Sequence, residues 1–263
     1  MKKVSTENLK RVAPLFEGWE HTAIWSGLDG SMGEVWADNA ETPLVAKIMM
    51  GETCYFAGDA RLDIAKDLVK HVPETYSYEE MHLIGIDEHW NKLFEKLFEN
   101  PDPEYYETYS RYAFRKTSNQ FNKAKLQKFV DSLPDGYEIV QLDEHLLREI
   151  QQLERFSHHG GNFPDFSTFQ NYGIGFAVLH QEKVVCVASS YTFYNGGIDI
   201  QVDTDEDYQR MGLATACAAR LILGCLERGI FPSWDADCLE SVALAEKLGY
   251  CLDKEYSAYG IAI

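Results

Sequence analysis

The stretch Gln209-Arg210-Met211-Gly212-Leu213-Ala214 leads from a strand-like segment, residues 197–202, into a long apolar run, Leu213–Arg228, that reads as a helix closed by Gly229. A strand–loop–helix passage of this composition suits anion chemistry. Gly212 lets backbone approach a ligand closely, and the small residues Ala214 and Thr215 leave the first-turn N–H groups uncovered. Those groups carry the positive end of the helix dipole, so a diphosphate is the natural occupant.

Such a loop needs an α/β frame, and residues 137–263 read as one. A helix over 123–132 ends at the turn Pro134-Asp135-Gly136, which marks a boundary between a first domain, 1–133, and a second, 137–263. The second opens with a strand at 137–142 and a helix at 144–156 with Leu146, Leu147, Ile150 and Leu153 inward. Residues 157–171, rich in His, Gly and Phe, read as a loop or short helix. Strands at 174–180, 184–193 and 197–202 follow, the first two split by Gln181-Glu182-Lys183. Beyond the long helix come a strand at 231–235, a helix at Leu239–Leu248 ending at Gly249, and one or two strands within 252–263.

The first half gathers no catalytic constellation. Residues 5–18 put Leu9, Val12, Leu15 and Phe16 on one helical face behind Ser5 as N-cap. Strands read at 33–37, 44–50, 82–86 and 105–115, and amphipathic helices at 62–72 and 89–99, the latter stopped by Asn100-Pro101. Gly27, Gly30 and Gly33 have phosphate-loop spacing, but a strand pattern follows them, so a hairpin turn is expected.

Forty-two acidic against 24 basic residues give a net charge of −18, a field that repels phosphate backbones and suits a cationic or amine-bearing small molecule. Nucleic acid and membrane are therefore not expected partners. No run approaches membrane-span length, and MKKVSTENLK lacks the apolar core of a signal peptide, so a cytoplasmic location is expected. The six cysteines (54, 186, 217, 225, 238, 251) form no C-x-x-C pair and read as free thiols, with Cys217 and Cys225 in the core.

The loop also resembles the diphosphate loop of the GNAT acyltransferases, Gln/Arg-x-x-Gly-x-Gly/Ala, through Gln209, Gly212 and Ala214. Lys247, Gly249 and Tyr250 in SVALAEKLGY resemble that superfamily's last helix and strand entry, usually Lys-x-Gly-Phe/Tyr. The resemblance implies an α/β (α+β) fold, a mixed and mostly antiparallel sheet flanked by helices. The whole chain resembles a bacterial two-part GNAT group that includes a self-resistance acetyltransferase for the aminopolyol antibiotic zwittermicin, which implies that the first half is a smaller, degenerate GNAT-like α+β domain.

From the same resemblance follow the site expectations. Acetyl-CoA is the co-substrate, held by Ile200, Val202, Asp203 and Thr204 on the strand, by Gln209, Arg210, Met211, Gly212, Leu213, Ala214 and Thr215 at the loop, and by Cys238 and Ser241 near the last helix. A small-molecule amine enters beside His159, Asn162, Phe163 and Trp234, with His158 a further candidate. Asp199, where relatives often carry a carboxylate, is the expected proton acceptor. Relatives often place a tyrosine in the last helix to reprotonate the thiolate; Ala245 stands there, so the general acid is unassigned. Transfer of a longer acyl group, or non-catalytic acyl-CoA sensing, are the alternatives. The acceptor amine and the oligomeric state are not legible.

Two further patterns read as ordinary structure. Residues 203–207 open like a calcium loop, but Tyr208 and Ala214 occupy positions that need Gly and Glu, and the acidic side chains are expected to face solvent. His158-His159 with Glu154 and Asp165 lack an i, i+4 partner, and adjacent histidines are expected to diverge, so no metal is expected.

Overall fold

A computed structural model describes residues 1–98, 106–117 and 120–263. The chain forms two compact units, Met1–Arg111 with Glu255–Ile263, and Tyr112–Lys254.

In the first unit, β1 (Lys2–Lys3), β2 (Glu34–Ala37), β3 (Val45–Met50), β4 (Thr53–Gly58) and β5 (Glu80–Gly85) lie side by side in that order. Pairing is antiparallel except for β4 with β5. The helices are α1 (Leu9–Val12), α2 (Thr22–Asp29), α3 (Asp63–Lys70) and α4 (Glu88–Leu97). Phe56, Trp90, Phe94 and Tyr259 meet in the core. Tyr259 comes from the far end of the chain, where residues 259–262 pair antiparallel with β5. A buried lysine, Lys47, donates to the carbonyl of His71, and burial lowers its pKa.

The second unit begins in β6 (Tyr106–Phe114) and continues through α5 (Lys123–Asp131), β7 (Tyr137–Gln141), α6 (Glu144–Ile150), α7 (Phe166–Tyr172), β8 (Gly175–His180), β9 (Lys183–Tyr194) and β10 (Gly197–Thr204). It then runs through α8 (Leu213–Arg228), β11 (Phe231–Ser233), β12 (Asp235–Ala236), α9 (Leu239–Leu248) and the start of β13 (Leu252–Ala262). Its main sheet has the order β11-β10-β9-β8-β7, antiparallel except for β10 with β11. Apolar α8 covers it, with Ala216, Cys217, Ala219 and Leu223 among the buried residues.

Several expectations need correction. The unit boundary falls at 111/112 rather than 133/137, because α5 packs on α8, and residues 255–263 belong to the first unit, because β13 completes its sheet. Gly27 and Gly30 are not in a hairpin turn. Gly27 lies inside α2, where a Cβ would come within 2.5 Å of Ile48, and Gly30 caps the helix at φ 77°. The helix escapes notice because its N-cap is His21, whose ring accepts from Ala23 N–H, rather than Ser, Thr, Asp or Asn. Strand β4 is likewise additional. The helix expected over 144–156 stops at Ile150, where tight turns at 152 and 153 take over and leave Leu153 exposed. Ser5 makes no side-chain cap. The strand expected at 231–235 is broken at Trp234 into β11 and β12, which pair with different strands. Asn100-Pro101, Glu99 and Tyr105 lie outside the described residues.

Candidate active site

β10 and β11 run parallel for three residue pairs, Gly197–Phe231, Ile198–Pro232 and Asp199–Ser233, and then part. β12 pairs instead with β6, Asp235 opposite Ala113 and Ala236 opposite Tyr112. On its other side β10 stays paired with β9 as far as Thr204, with Tyr191 of β9 looped out opposite the Asp199–Ile200 step. Ile200 to Thr204 therefore have a β9 partner on one edge and no β11 partner on the other. A strand edge of free N–H and C=O groups is a template for an extended, amide-bearing chain.

That strand leads to the loop. A short turn over Glu206–Tyr208 gives way to Arg210 at φ 62° and Gly212 at φ 85°. Left-handed backbone at an arginine is uncommon and points to a constrained segment. Gly212 is the N-cap of α8, provides no side-chain cap, and has open space where a Cβ would project. The first-turn amides of a 16-residue helix thus face an exposed loop of Gln209, Arg210, Met211 and Gly212.

Asp199 sits at the fork and is 8% exposed. It is no surface carboxylate. Burial pushes the Tyr194 phenol up, Ser233 opposes this, and the charge of Asp199 adds to it. Tyr250 is fully buried, and its hydroxyl donates to the carbonyl of Pro232 at 2.8 Å. Burial raises it well above its ordinary value, with Cys225 and Asp199 contributing.

Comparison with known proteins follows the same lines. The family described as GNAT acetyltransferase matches residues 13–259. This chain belongs to the GNAT acetyltransferase family. It is 29% identical over 244 residues to an uncharacterized N-acetyltransferase, YdfB, of Bacillus subtilis (strain 168), covering 90% of this chain and 89% of that one. The crystal structure of a GCN5-related N-acetyltransferase-like protein from Streptococcus suis 89/1591 superposes with a TM-score of 0.87 at 39% identity, covering 96% of this chain and 98% of that one. A tandem GNAT protein from the clavulanic acid biosynthesis pathway shares the fold at 9% identity, with a TM-score of 0.58 and coverage of 99% and 97%. The two-part GNAT architecture thus extends over the whole chain.

Within this GNAT acetyltransferase, several expected contact residues are occupied elsewhere. Leu213 is buried in the core, and the Thr215 hydroxyl accepts from Lys247 Nζ at 3.2 Å, so these two face the loop with backbone only. Thr204 Oγ1 donates to Cys186 Sγ at 3.3 Å. Ser241 Oγ accepts from Trp234 Nε1 at 3.0 Å, and Trp234 packs at a tilt against Tyr250 and is 5% exposed, which makes it a core residue. Phe163 stacks on Phe193 and is likewise core. Asn162 keeps accessible surface and donates to the Tyr191 carbonyl at 3.3 Å. Cys238, exposed, precedes α9 without capping it, and burial of its thiol raises its pKa. Cys54, Cys186, Cys217 and Cys225 are buried free thiols, and Cys251 is an exposed one.

The acidic run does not simply face solvent. Asp205 takes Lys183 Nζ at 3.0 Å and caps Asp207 N–H at 3.1 Å. Asp203 turns toward His158 and His159, whose Nε2 atoms lie 3.0 and 3.2 Å from its Oδ2. The adjacent histidines converge rather than diverge. Burial raises the Asp203 carboxyl, but its contacts with His158 and His159 more than offset this and hold it well below the usual carboxylate range. His159, expected beside the acceptor, is fully buried. Sequence reasoning missed Ser189, Gln201 and Tyr194, whose places depend on strand pairings that no local pattern announces.

No helix among the described residues is long and apolar enough to cross a membrane.

Proposed function

We propose that the second unit moves an acetyl group from acetyl-CoA to a primary amine of a small molecule by direct attack. The observation that carries this reading is the fork at Asp199: an open strand edge, Ile200–Thr204, runs from a buried carboxylate into the uncapped start of α8. The residues present fit the coenzyme. Backbone of Ile200, Val202, Asp203 and Thr204 suits its amide-bearing arm, and the amides at Gly212, Leu213, Ala214 and Thr215 suit its diphosphate, with Gln209, Arg210 and Met211 around it. Cys238 and Ser241 border the strand entry of α9.

The thioester supplies an activated acyl carbon with a good leaving group. Asp199 takes a proton from the ammonium form of the acceptor, because only the neutral amine is a nucleophile. The N–C bond forms as the C–S bond breaks, and the sulfur leaves with the electron pair. A backbone N–H of the open β10 edge polarises the carbonyl. Tyr194, kept protonated by burial and by the charge of Asp199, is a phenol in this neighbourhood able to return a proton to sulfur; Ala245, where many relatives carry tyrosine, is buried. The net charge of −18 favours a cationic acceptor.

The test is release of free thiol from acetyl-CoA in the presence of amino acids, polyamines and aminopolyol antibiotics. Amine-dependent release supports transfer. Coenzyme binding with no release for any acceptor would leave a sensor in its place, and release only with longer thioesters would change the donor.

A further inference from the structure

We propose that His158, His159 and Asp203 form a binding site for a divalent transition-metal ion of the zinc class. Three residues from two segments converge here. His158 Nε2 and His159 Nε2 lie 3.0 and 3.2 Å from one oxygen, Asp203 Oδ2, and the candidate ligand atoms all lie within 4.8 Å of one another. Zinc ligands at about 2.0–2.2 Å in tetrahedral array stand roughly 3.3–3.6 Å apart, a spacing close to the 3.0 and 3.2 Å that separate each ring nitrogen from the carboxylate oxygen. Two imidazoles and a carboxylate are a donor set that zinc and its neighbours prefer, and three protein ligands leave one coordination position open.

The burial pattern points the same way. His159 is fully buried, and its Nε2 makes no well-aligned hydrogen bond despite its distance from the carboxylate. A buried ring nitrogen aimed at a carboxylate without alignment fits a shared ion better than a direct bond. Its other nitrogen, Nδ1, is 2.7 Å from Ser189 Oγ, which accepts from Gln201 Nε2 at 3.1 Å. Metal-bound histidines characteristically have their second nitrogen fixed in this way.

The surrounding charges leave the site accessible to a cation. Arg155 approaches Asp203 through the other oxygen, Oδ1, at 4.0 Å, and is shared with Glu206 at 3.9 Å. Lys183 is held by Asp205. His158 is half-exposed and provides the entry side. An ion here would tie the segment carrying Asn162 to β10, the strand that also carries Asp199. This proposal does not depend on the acyl-transfer reading.

The test uses the full chain, stripped with a chelator, dialysed and titrated with Zn²⁺ by calorimetry and with Co²⁺ by visible absorption. One ion per chain and a Co²⁺ ligand-field spectrum are expected. His158→Ala and Asp203→Asn are each expected to weaken binding at least 10-fold, and Ser189→Ala by about 10–100-fold through the ring it positions. Circular dichroism checks that each variant folds; His158 is half-exposed, so His158→Ala decides alone if the others do not. Absence of stoichiometric binding, or binding unchanged by His158→Ala, would overturn the site and leave a hydrogen-bonded histidine–aspartate cluster.

Discussion

Asp199 is paired across the sheet with Ser233, and these are the last two residues at which β10 and β11 remain together. The carboxylate is therefore fixed at the vertex of the opening, held by backbone pairing on both sides.

From that position comes the first prediction. Asp199→Asn preserves shape and removes a basic oxygen. An amine with a pKa near 10.4 is almost wholly protonated at neutral pH, so turnover should fall by about 10²–10⁴-fold. The deficit should shrink as pH rises and free amine accumulates, with coenzyme binding unchanged. Steady-state rates across pH check this, and a wild-type rate at every pH would clear Asp199.

Gly212 offers a second. A Cβ there meets open space, so Gly212→Glu adds a side chain where the diphosphate is proposed to lie without disturbing the core. Positive φ makes the substitution strained, by about 1–2 kcal/mol. The variant should fold with reduced stability and lose the upward thermal shift that millimolar coenzyme A gives the parent. Retained binding by calorimetry would move the diphosphate elsewhere.

The β8–β9 hairpin turns on Gln181 and Glu182, both at positive φ, a conformation that favours Asn-Gly. Glu182→Gly should raise stability by about 1 kcal/mol, measured by chemical denaturation, because the strain at a non-glycine residue is removed. Unchanged or lower stability would contradict the turn geometry.

A fourth prediction concerns Lys47. Its native pKa is lowered by burial, so between that value and about 10.4 the unfolded chain binds the extra proton, and stability from this group rises with pH. Neighbouring Cys54, pushed up by burial to about 12, acts oppositely: the unfolded thiol ionises from about 8.5, and stability falls. In Lys47→Met the offsetting rise is absent, so unfolding free energy should fall more steeply between pH 8.5 and 10.4 than in the parent. Equal slopes in denaturation series would count against a lowered Lys47.

How much could be read beforehand varied with the range of the interactions involved. Helix α8 was legible because Gly212 and Gly229 bracket an apolar run, and both ends depend on local backbone chemistry. The turn into it at Gly212 was legible for the same reason. Helix α2 was not, since a histidine ring does the capping. Nor were Ser189 and Gln201, which meet His159 through the register of β9 against β10. Adjacent histidines suggest divergence when only spacing is considered; here residues 157–161 turn tightly and bring both rings to one aspartate.

The discontinuity of the first unit bears on how the chain is made. Its sheet includes Tyr259 and Ile261, which pair with β5 and lie in the core with Trp90 and Phe94. During synthesis, residues 112–254 leave the ribosome before the residues that pair with β5, 259–262, do. Residues 1–111 must therefore wait, with the β5 edge uncovered, until the second unit has been synthesised. Vectorial synthesis thus leaves the first unit, although it begins the chain, to be completed last.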